Sequence, residues 1–475
     1  MQTALSATAV SDLSTRTSSD SQETSKPAAD TRARPSGASP NVRLRVNRKS
    51  SSAKKAEKKA ESDNEVVPAI AGNHFAIHGF LQRLLHRPSL AEFTSATQRP
   101  EYAPSERLIV KNPKNRSIAG HVQLEPQTIR HGSTEIPVSR FRDLAVLPEF
   151  RLRGSADQLV VAAESEARRL GSMLIVARGE DSALLRAHGW SVLGSDPFSV
   201  ASPQALLSHL PVPAEPESPY YASMMPVVQV RIGRLTDIAE MQQAYETRFS
   251  TTSGTRIRSA EMWTWLASKR SYDRIYIVTV NDQTQGYVVV RGGSILELVD
   301  LTEDGSGGAR LLQRVAADAI DQGRHSIRIH APISDRVHTW ADQAGGQVHA
   351  SPTNDVWMAK CLSNRTLLRR LAHELYRRRP KDMQTICLEI DDEQLLIGKG
   401  VRSMKVTRGN TATDRVEVSA ASALQMFLGY RSVAELCATG HLIPSSDTAL
   451  KTVEQLFPIS ELWRARWDDA AVAHA

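Results

Sequence analysis

Two arginines, a glycine and two small residues sit together in Arg151-Leu152-Arg153-Gly154-Ser155-Ala156. These types at this spacing suit two readings. One is an ordinary strand-to-helix turn. The other is a phosphate cradle, because a helix N-terminus carries free backbone N–H groups and a partial positive charge. In the second reading Gly154 allows close approach of backbone and phosphate, Ser155 and Ala156 keep the path open, and Arg151 and Arg153 add positive charge.

The flanking elements favour the cradle. The stretch IPVSRFRDLAVL (136–147) before it predicts a strand, and Leu159, Val160, Ala163 and Ala167 after it line one face of a helix over 155–170. Upstream, HFAIHGFLQRLL (74–85) predicts a helix, and RLIVK (107–111) and IAGHVQLE (118–125) predict two strands joined by the turn-rich NPKNRS. Downstream, MLIVAR (173–178) is a buried strand, SALLRAHGW (182–190) a short helix ending at Gly189, and WSVLG a returning strand. This mixed α/β unit is expected to span 71–210, with a proline-rich linker over 211–226.

A similar order of elements follows at 227–363: a strand and helix over 227–246, a hairpin made of IYIVTV (275–280) and GYVVVR (286–291), a strand at 295–301, a helix over 309–321 and a strand at 326–332. A fold-level duplication is expected. A third unit, 364–475, holds strands at 383–391 and 403–409, then a strand and two short helices over 414–442. The basic stretch LRRLAHELYRRRPK (368–381) reads either as a domain-linking helix or as a dock for an acidic partner.

The run LAVLPEF, then RLRGSA, then a helix resembles the GCN5-related N-acetyltransferase family, whose coenzyme A signature is Arg or Gln, two residues, Gly, one residue, then Gly or Ala. AHGW (187–190) resembles that family's corner after its fifth strand. With VEVSAASALQMFLGYRSVAELCATGHL and the following LFP, the order over 75–467 is similar to the Eis-type architecture. That resemblance implies two tandem acetyltransferase-like α/β domains followed by a sterol-carrier-like α+β domain.

The resemblance further implies acetyl-CoA as co-substrate and direct attack on it by a primary amine, from a small molecule or a protein lysine. The pyrophosphate would lie on Arg151, Leu152, Arg153, Gly154, Ser155 and Ala156. The backbone of Leu144, Ala145 and Val146 would pair with the pantetheine arm, one N–H polarising the thioester carbonyl. At the place where the family commonly has an acidic tyrosine this chain has Leu185, so the catalytic residues stay unassigned. Ser182 nearby reads as a helix cap or a catalytic hydroxyl. Eis-type proteins also place a C-terminal carboxylate in the active site; here Ala475, Asp468 and Asp469 are the candidates. Homo-oligomers occur in that group. The second unit has DGSGGARLL (304–312) where a cradle would be, and is expected to shape the pocket without binding coenzyme A.

Composition narrows the remaining classes. Residues 1–70 contain no Phe, Trp or Tyr and are expected to be a disordered tail. The formal charge of +7 over 475 residues is a mild bias toward anionic ligands, with nucleic acid as a minor alternative through KKAEKKAE (54–61). The three cysteines form no CxxC pair and the fourteen histidines no HExxH motif, so neither a disulfide framework nor a metal is expected. No apolar run of transmembrane length and no secretory leader is visible, and a cytoplasmic location fits. Asp143, Glu149, His121 and His188 are further polar residues that read as solvated or structural, or as a base. An acyl-CoA- or lipid-binding protein that has lost the acid is the rival to the enzyme.

Overall fold

The computed structural model describes residues 65–84, 88–179, 182–211, 227–269, 271–349 and 356–470. In chain order the strands are β1 (Val66–Pro68), β2 (Arg107–Lys111), β3 (Ile118–His131), β4 (Thr134–Val146), β5 (Leu174–Gly179), β6 (Ser191–Ser195), β7 (Phe198–Ala201), β8 (Val228–Ile232), β9 (Arg274–Val280), β10 (Gln283–Arg291), β11 (Ser294–Asp300), β12 (Ile327–His330), β13 (Gln347–His349) and β14 (Val356–Cys361). The third unit adds β15 (Ile386–Ile390), β16 (Glu393–Lys399), β17 (Met404–Arg408), β18 (Asp414–Val418) and β19 (Leu442–Pro444).

Local chemistry explains the longest hairpins. β3 and β4 turn through Gly132-Ser133, with Gly132 at φ 55°, and β9 and β10 turn through Asn281-Asp282, both at positive φ. Two-residue turns of this kind match the twist of the strands they join. Order begins earlier than expected: Val66–Pro68 pairs as an edge strand with β2. Backbone hydrogen bonds, not aromatic side chains, hold it. The rest of the expected tail and residues 212–226 of the expected linker lie outside the described residues.

The first sheet runs β1-β2-β3-β4-β5-β14-β6 and the second β8-β9-β10-β11-β12-β7-β13. Place for place these are the same plan, with β4–β5 and β11–β12 as the parallel pairs. The sixth place in each is filled from the other half of the chain. β14 lies between β5 and β6, and β7 between β12 and β13, every contact antiparallel. The expected units at 71–210 and 227–363 therefore do not each close their own sheet. The helix Pro203–His209 goes with β7: Leu206 and Leu210 are buried in the second core.

Each sheet is covered by one long amphipathic helix. Leu159, Val160, Ala163 and Ala167 of Ser155–Arg169 pack on the first, and Leu311, Leu312, Val315 and Ala316 of Ser306–Asp321 on the second. The third unit, a sheet of order β17-β16-β15-β18-β19, shares one core with the opposite face of the first sheet through Ile136, Val138, Leu174 and Val176. The basic stretch forms two short helices, Asn364–Arg370 and Ala372–Arg378, joined at Leu371; Leu367, Leu368, Leu371 and Leu375 enter this core. Arg370 Nε donates to the Glu135 carbonyl at 2.6 Å and Ser133 donates to Glu374 at 2.8 Å, so the stretch ties the third unit to the β3–β4 hairpin.

Candidate active site

β4 and β5 run side by side only from Val138↔Leu174 to Phe141↔Ala177. Beyond that they part, and Arg142–Val146 has no strand partner on its β5 side, while its other side remains paired with β3. Asp143, at φ 55°, sits where the β3–β4 register slips. Such bulges re-aim a strand beside a site. A cavity of ≈ 260 Å³ fills the gap, lined by Phe141–Leu144, Ala177–Gly179, Ser182, Leu185 and Met358.

The turn follows directly. Pro148–Arg151 makes one helical turn, and Gly154, at φ 72°, starts the helix Ser155–Arg169. A Cβ at Gly154 would meet no atom within 4 Å, so the backbone angle rather than crowding calls for glycine. Among the described residues no side chain accepts from the amides of Ala156 or Asp157, and Gly154 has no side chain to cap the helix. Ser155 is buried, while Arg151, Leu152 and Arg153 are exposed. Arg151 turns back, its Nε donating to the Val146 carbonyl at 3.2 Å, and the Arg153 guanidinium stacks on Phe150 at 5.1 Å. Ser182 accepts from the Leu185 amide at 3.4 Å, the helix cap of the two readings, and Leu185 is buried.

A second cavity of ≈ 350 Å³ meets the first at Arg142, Asp143 and Arg178. One wall is the helix Leu90–Thr97, which contributes Phe93 and Ser95; another is the second half of the chain, which contributes Trp265 and Lys269. Asp468 and Asp469 complete it. They are delivered by the segment Leu462–Ala470. Trp463 donates its amide to the Ser253 carbonyl at 2.8 Å, and Trp467 is wholly buried against Trp263 and Tyr272. Ala475 lies outside the described residues.

Opposite charges crowd this cavity. Asp469 lies 3.0 Å from Arg140, 2.8 Å from Arg178 and 3.2 Å from Arg464. Burial alone would raise its pKa, but these arginines hold it far below the usual carboxylate range. Asp468, 3.0 Å from Arg258, and Glu125, 3.0 Å from Arg256, are lowered against burial in the same way. Carboxylates held this low are poor proton acceptors near neutral pH. They fix the arginines instead.

Two other residues differ. Burial pulls Lys269 down to about 7, against the pull of Asp468, Asp469 and Glu125; its ammonium lies over the Trp265 ring at 4.4 Å. Burial, assisted by Arg107, lowers His121 to about 4, so it is neutral at physiological pH. Its Nδ1 is 2.9 Å from the Asp143 carbonyl and therefore donates, which leaves Nε2 to accept from Arg107 Nη1 at 3.2 Å. Glu149 is exposed beside the turn, and His188 lies 3.0 Å from Asp157 on the outer surface of the cradle helix.

Reading the sequence brought together the turn and the strand end. It missed Lys269, Trp265 and Arg107, which come from distant positions with no shared motif. Asp468 and Asp469, singled out only as stand-ins for a terminal carboxylate, do reach the cavity.

No protein-family model matches the chain, and no curated protein matches it in sequence. Solved structures do match. A GCN5-related N-acetyltransferase from Kribbella flavida is 15% identical with a TM-score of 0.65, covering 85% of this chain and 99% of that one. A protein from Enterococcus faecalis described as a probable N-acyltransferase is 14% identical with a TM-score of 0.68, over the same shares of the two chains. Eis1 from Mycobacterium abscessus is 15% identical with a TM-score of 0.57, again covering 85% and 99%. Together with the parted strands and the glycine turn, these likenesses show that the chain has the fold of the GCN5-related N-acetyltransferases.

Proposed function

We propose that the protein is an N-acyltransferase that moves an acetyl group from acetyl-CoA to a primary amine. The observation that carries this is the helix start at Gly154, where no side chain among the described residues accepts from the Ala156 and Asp157 amides, one turn after a strand end that has parted from β5. Such a helix end suits a pyrophosphate. Arg151, Leu152, Arg153, Gly154, Ser155 and Ala156 would surround it, and the backbone of Leu144, Ala145 and Val146 would run beside the pantetheine arm. One strand N–H would polarise the thioester carbonyl as the amine attacks.

The amine enters from the larger cavity and attacks as its neutral form, so it must shed a proton on the way. The carbonyl carbon gains the C–N bond, the C–S bond breaks, the thiolate departs, and the nitrogen gives up its second proton to water in the cleft. Leu185 lines the donor cleft and offers no proton, so the thiolate is protonated from solvent in the open cleft. The lipid-binding alternative has less support. The apolar cavity between the third unit and the first sheet measures ≈ 50 Å³, about the room of one or two waters.

The test is release of coenzyme A thiol from acetyl-CoA in the presence of amines, with direct titration of coenzyme A into wild type and Gly154→Glu. Turnover by wild type and loss of binding in the variant are expected. Unaltered coenzyme A affinity in a folded Gly154→Glu protein would overturn the donor assignment.

A further inference from the structure

We propose that the acceptor amine carries an anionic group, a carboxylate or a phosphate, and that Arg107 binds it inside the ≈ 350 Å³ cavity. This deepens the acyltransferase reading above and rests on it.

The buried cations and anions of this cavity are unequally matched. Its carboxylates are already engaged: Asp469 by Arg140, Arg178 and Arg464, Asp468 by Arg258, Glu125 by Arg256, and Asp143 by Arg142 at 3.2 Å. Glu92, on the wall helix, accepts from the Ser89 amide at 3.2 Å. Apart from Asp468 Oδ2, which is buried without a hydrogen-bond partner among the described residues, a polycationic acceptor would have to draw these carboxylates away from their arginines.

Arg107 has no such partner. It is 1% exposed, and the side chains it touches are neutral. Nε donates to Tyr102 Oη at 3.1 Å, Nη1 to His121 Nε2 at 3.2 Å, and the guanidinium lies over the Phe93 ring at 4.7 Å. Among the described residues Nη2 has no acceptor and no carboxylate stands within ion-pair distance of the group. A guanidinium taken out of water without a counter-charge is unfavourable, and an incoming anion relieves that. Neutral His121 and Tyr102 aim the group without repelling or neutralising it.

A second cation faces the same cavity. Among the described residues Lys269 also lacks a carboxylate within ion-pair distance, resting on Trp265, whose Nε1 donates to the Ser95 carbonyl at 3.0 Å. The helix Leu90–Thr97 thus holds both: Phe93 covers Arg107, and Ser95 anchors the Trp265–Lys269 pair. The cavity is of a size for a small molecule.

The experiment compares kcat/KM for β-alanine, phosphoethanolamine, propylamine and spermidine in wild type, Arg107→Met and Arg107→Lys. One of the two anionic amines is expected to exceed propylamine and spermidine by about 10-fold or more, and whichever it is names the group. Arg107→Met should lower the value for that amine by about 10- to 100-fold, chiefly through KM, as loss of a charge-assisted contact implies. Propylamine should suffer much less, and Arg107→Lys should recover part of the loss. Preference for spermidine, or an equal loss for all four amines, overturns the proposal. If Arg107→Met does not fold, Lys269→Met takes its place with the same expected selectivity. If no amine is acetylated, the acyltransferase reading fails by itself. Calorimetric binding then decides: tighter binding of an anionic amine than of spermidine upholds the docking site, and the reverse, or no binding of either anionic amine, rejects it.

Discussion

The two long helices begin alike and end up doing different work. Both start at a glycine in the left-handed region, Gly154 at φ 72° and Gly305 at φ 80°, each after a strand that leaves its parallel neighbour. At the first, no side chain among the described residues accepts from the amides of Ala156 and Asp157. At the second, Asp304 accepts from the Ser306 amide at 3.0 Å and Thr302 Oγ1 from the Gly307 amide at 3.0 Å. Asp300 stands behind Thr302, and the guanidinium of Arg336 covers Gly305. The chain's own oxygens occupy the places that phosphate oxygens would take. The second helix start keeps the left-handed glycine but caps its own amides.

The largest effect is expected from Gly154→Glu. It puts a carboxylate into the open cradle and should weaken coenzyme A by about 100-fold or more, as loss of charge-assisted phosphate contacts implies. Titration calorimetry reads it. Gly305→Glu should leave coenzyme A affinity unchanged in whatever protein folds.

Lys269 tests what the second half contributes to the first. Its folded pKa, about 7, lies below the ordinary value of 10.5, so the unfolded chain binds more protons between those pH values. Stability should therefore rise with pH from about 7 toward 10, by at most roughly 1.4 kcal/mol per unit. Lys269→Met should flatten that rise in denaturant unfolding. An unchanged slope would remove Lys269 from the buried cavity.

Smaller effects separate geometry from crowding. Gly154→Ala keeps open space around its Cβ and should cost about 1–2 kcal/mol from the left-handed backbone alone. Gly305→Ala adds a clash, its Cβ falling 2.1 Å from Arg336 Nη1, and should cost more. Equal losses would mean that Arg336 swings aside freely. Least of all, Asp300→Ala should cost about 1 kcal/mol through the Thr302 cap and leave coenzyme A binding as it was.

The Arg151–Ala156 turn, its flanking strand and its helix were legible because hydrophobic period and a conformationally special glycine are local signals. So were most hairpins. The exchange of β7 and β14 was not. Phe198–Ala201 and Val356–Cys361 look like any short buried strand, and nothing in a strand's own residues names its neighbour. The larger cavity was hidden for the same reason. Arg107, Lys269 and Asp469 are far apart in sequence, and only the packing of Trp463 and Trp467 brings the last of them in.

The exchange also sets an order of events in synthesis. As the chain leaves the ribosome, β5 and β6 emerge long before Val356–Cys361, the strand that must lie between them. At 5–20 residues per second the wait is roughly ten to thirty seconds, with two strand edges uncovered. The cleft beside β5 is thus finished late, and a nascent chain stalled before residue 361 would carry the glycine turn without the sheet that aims it.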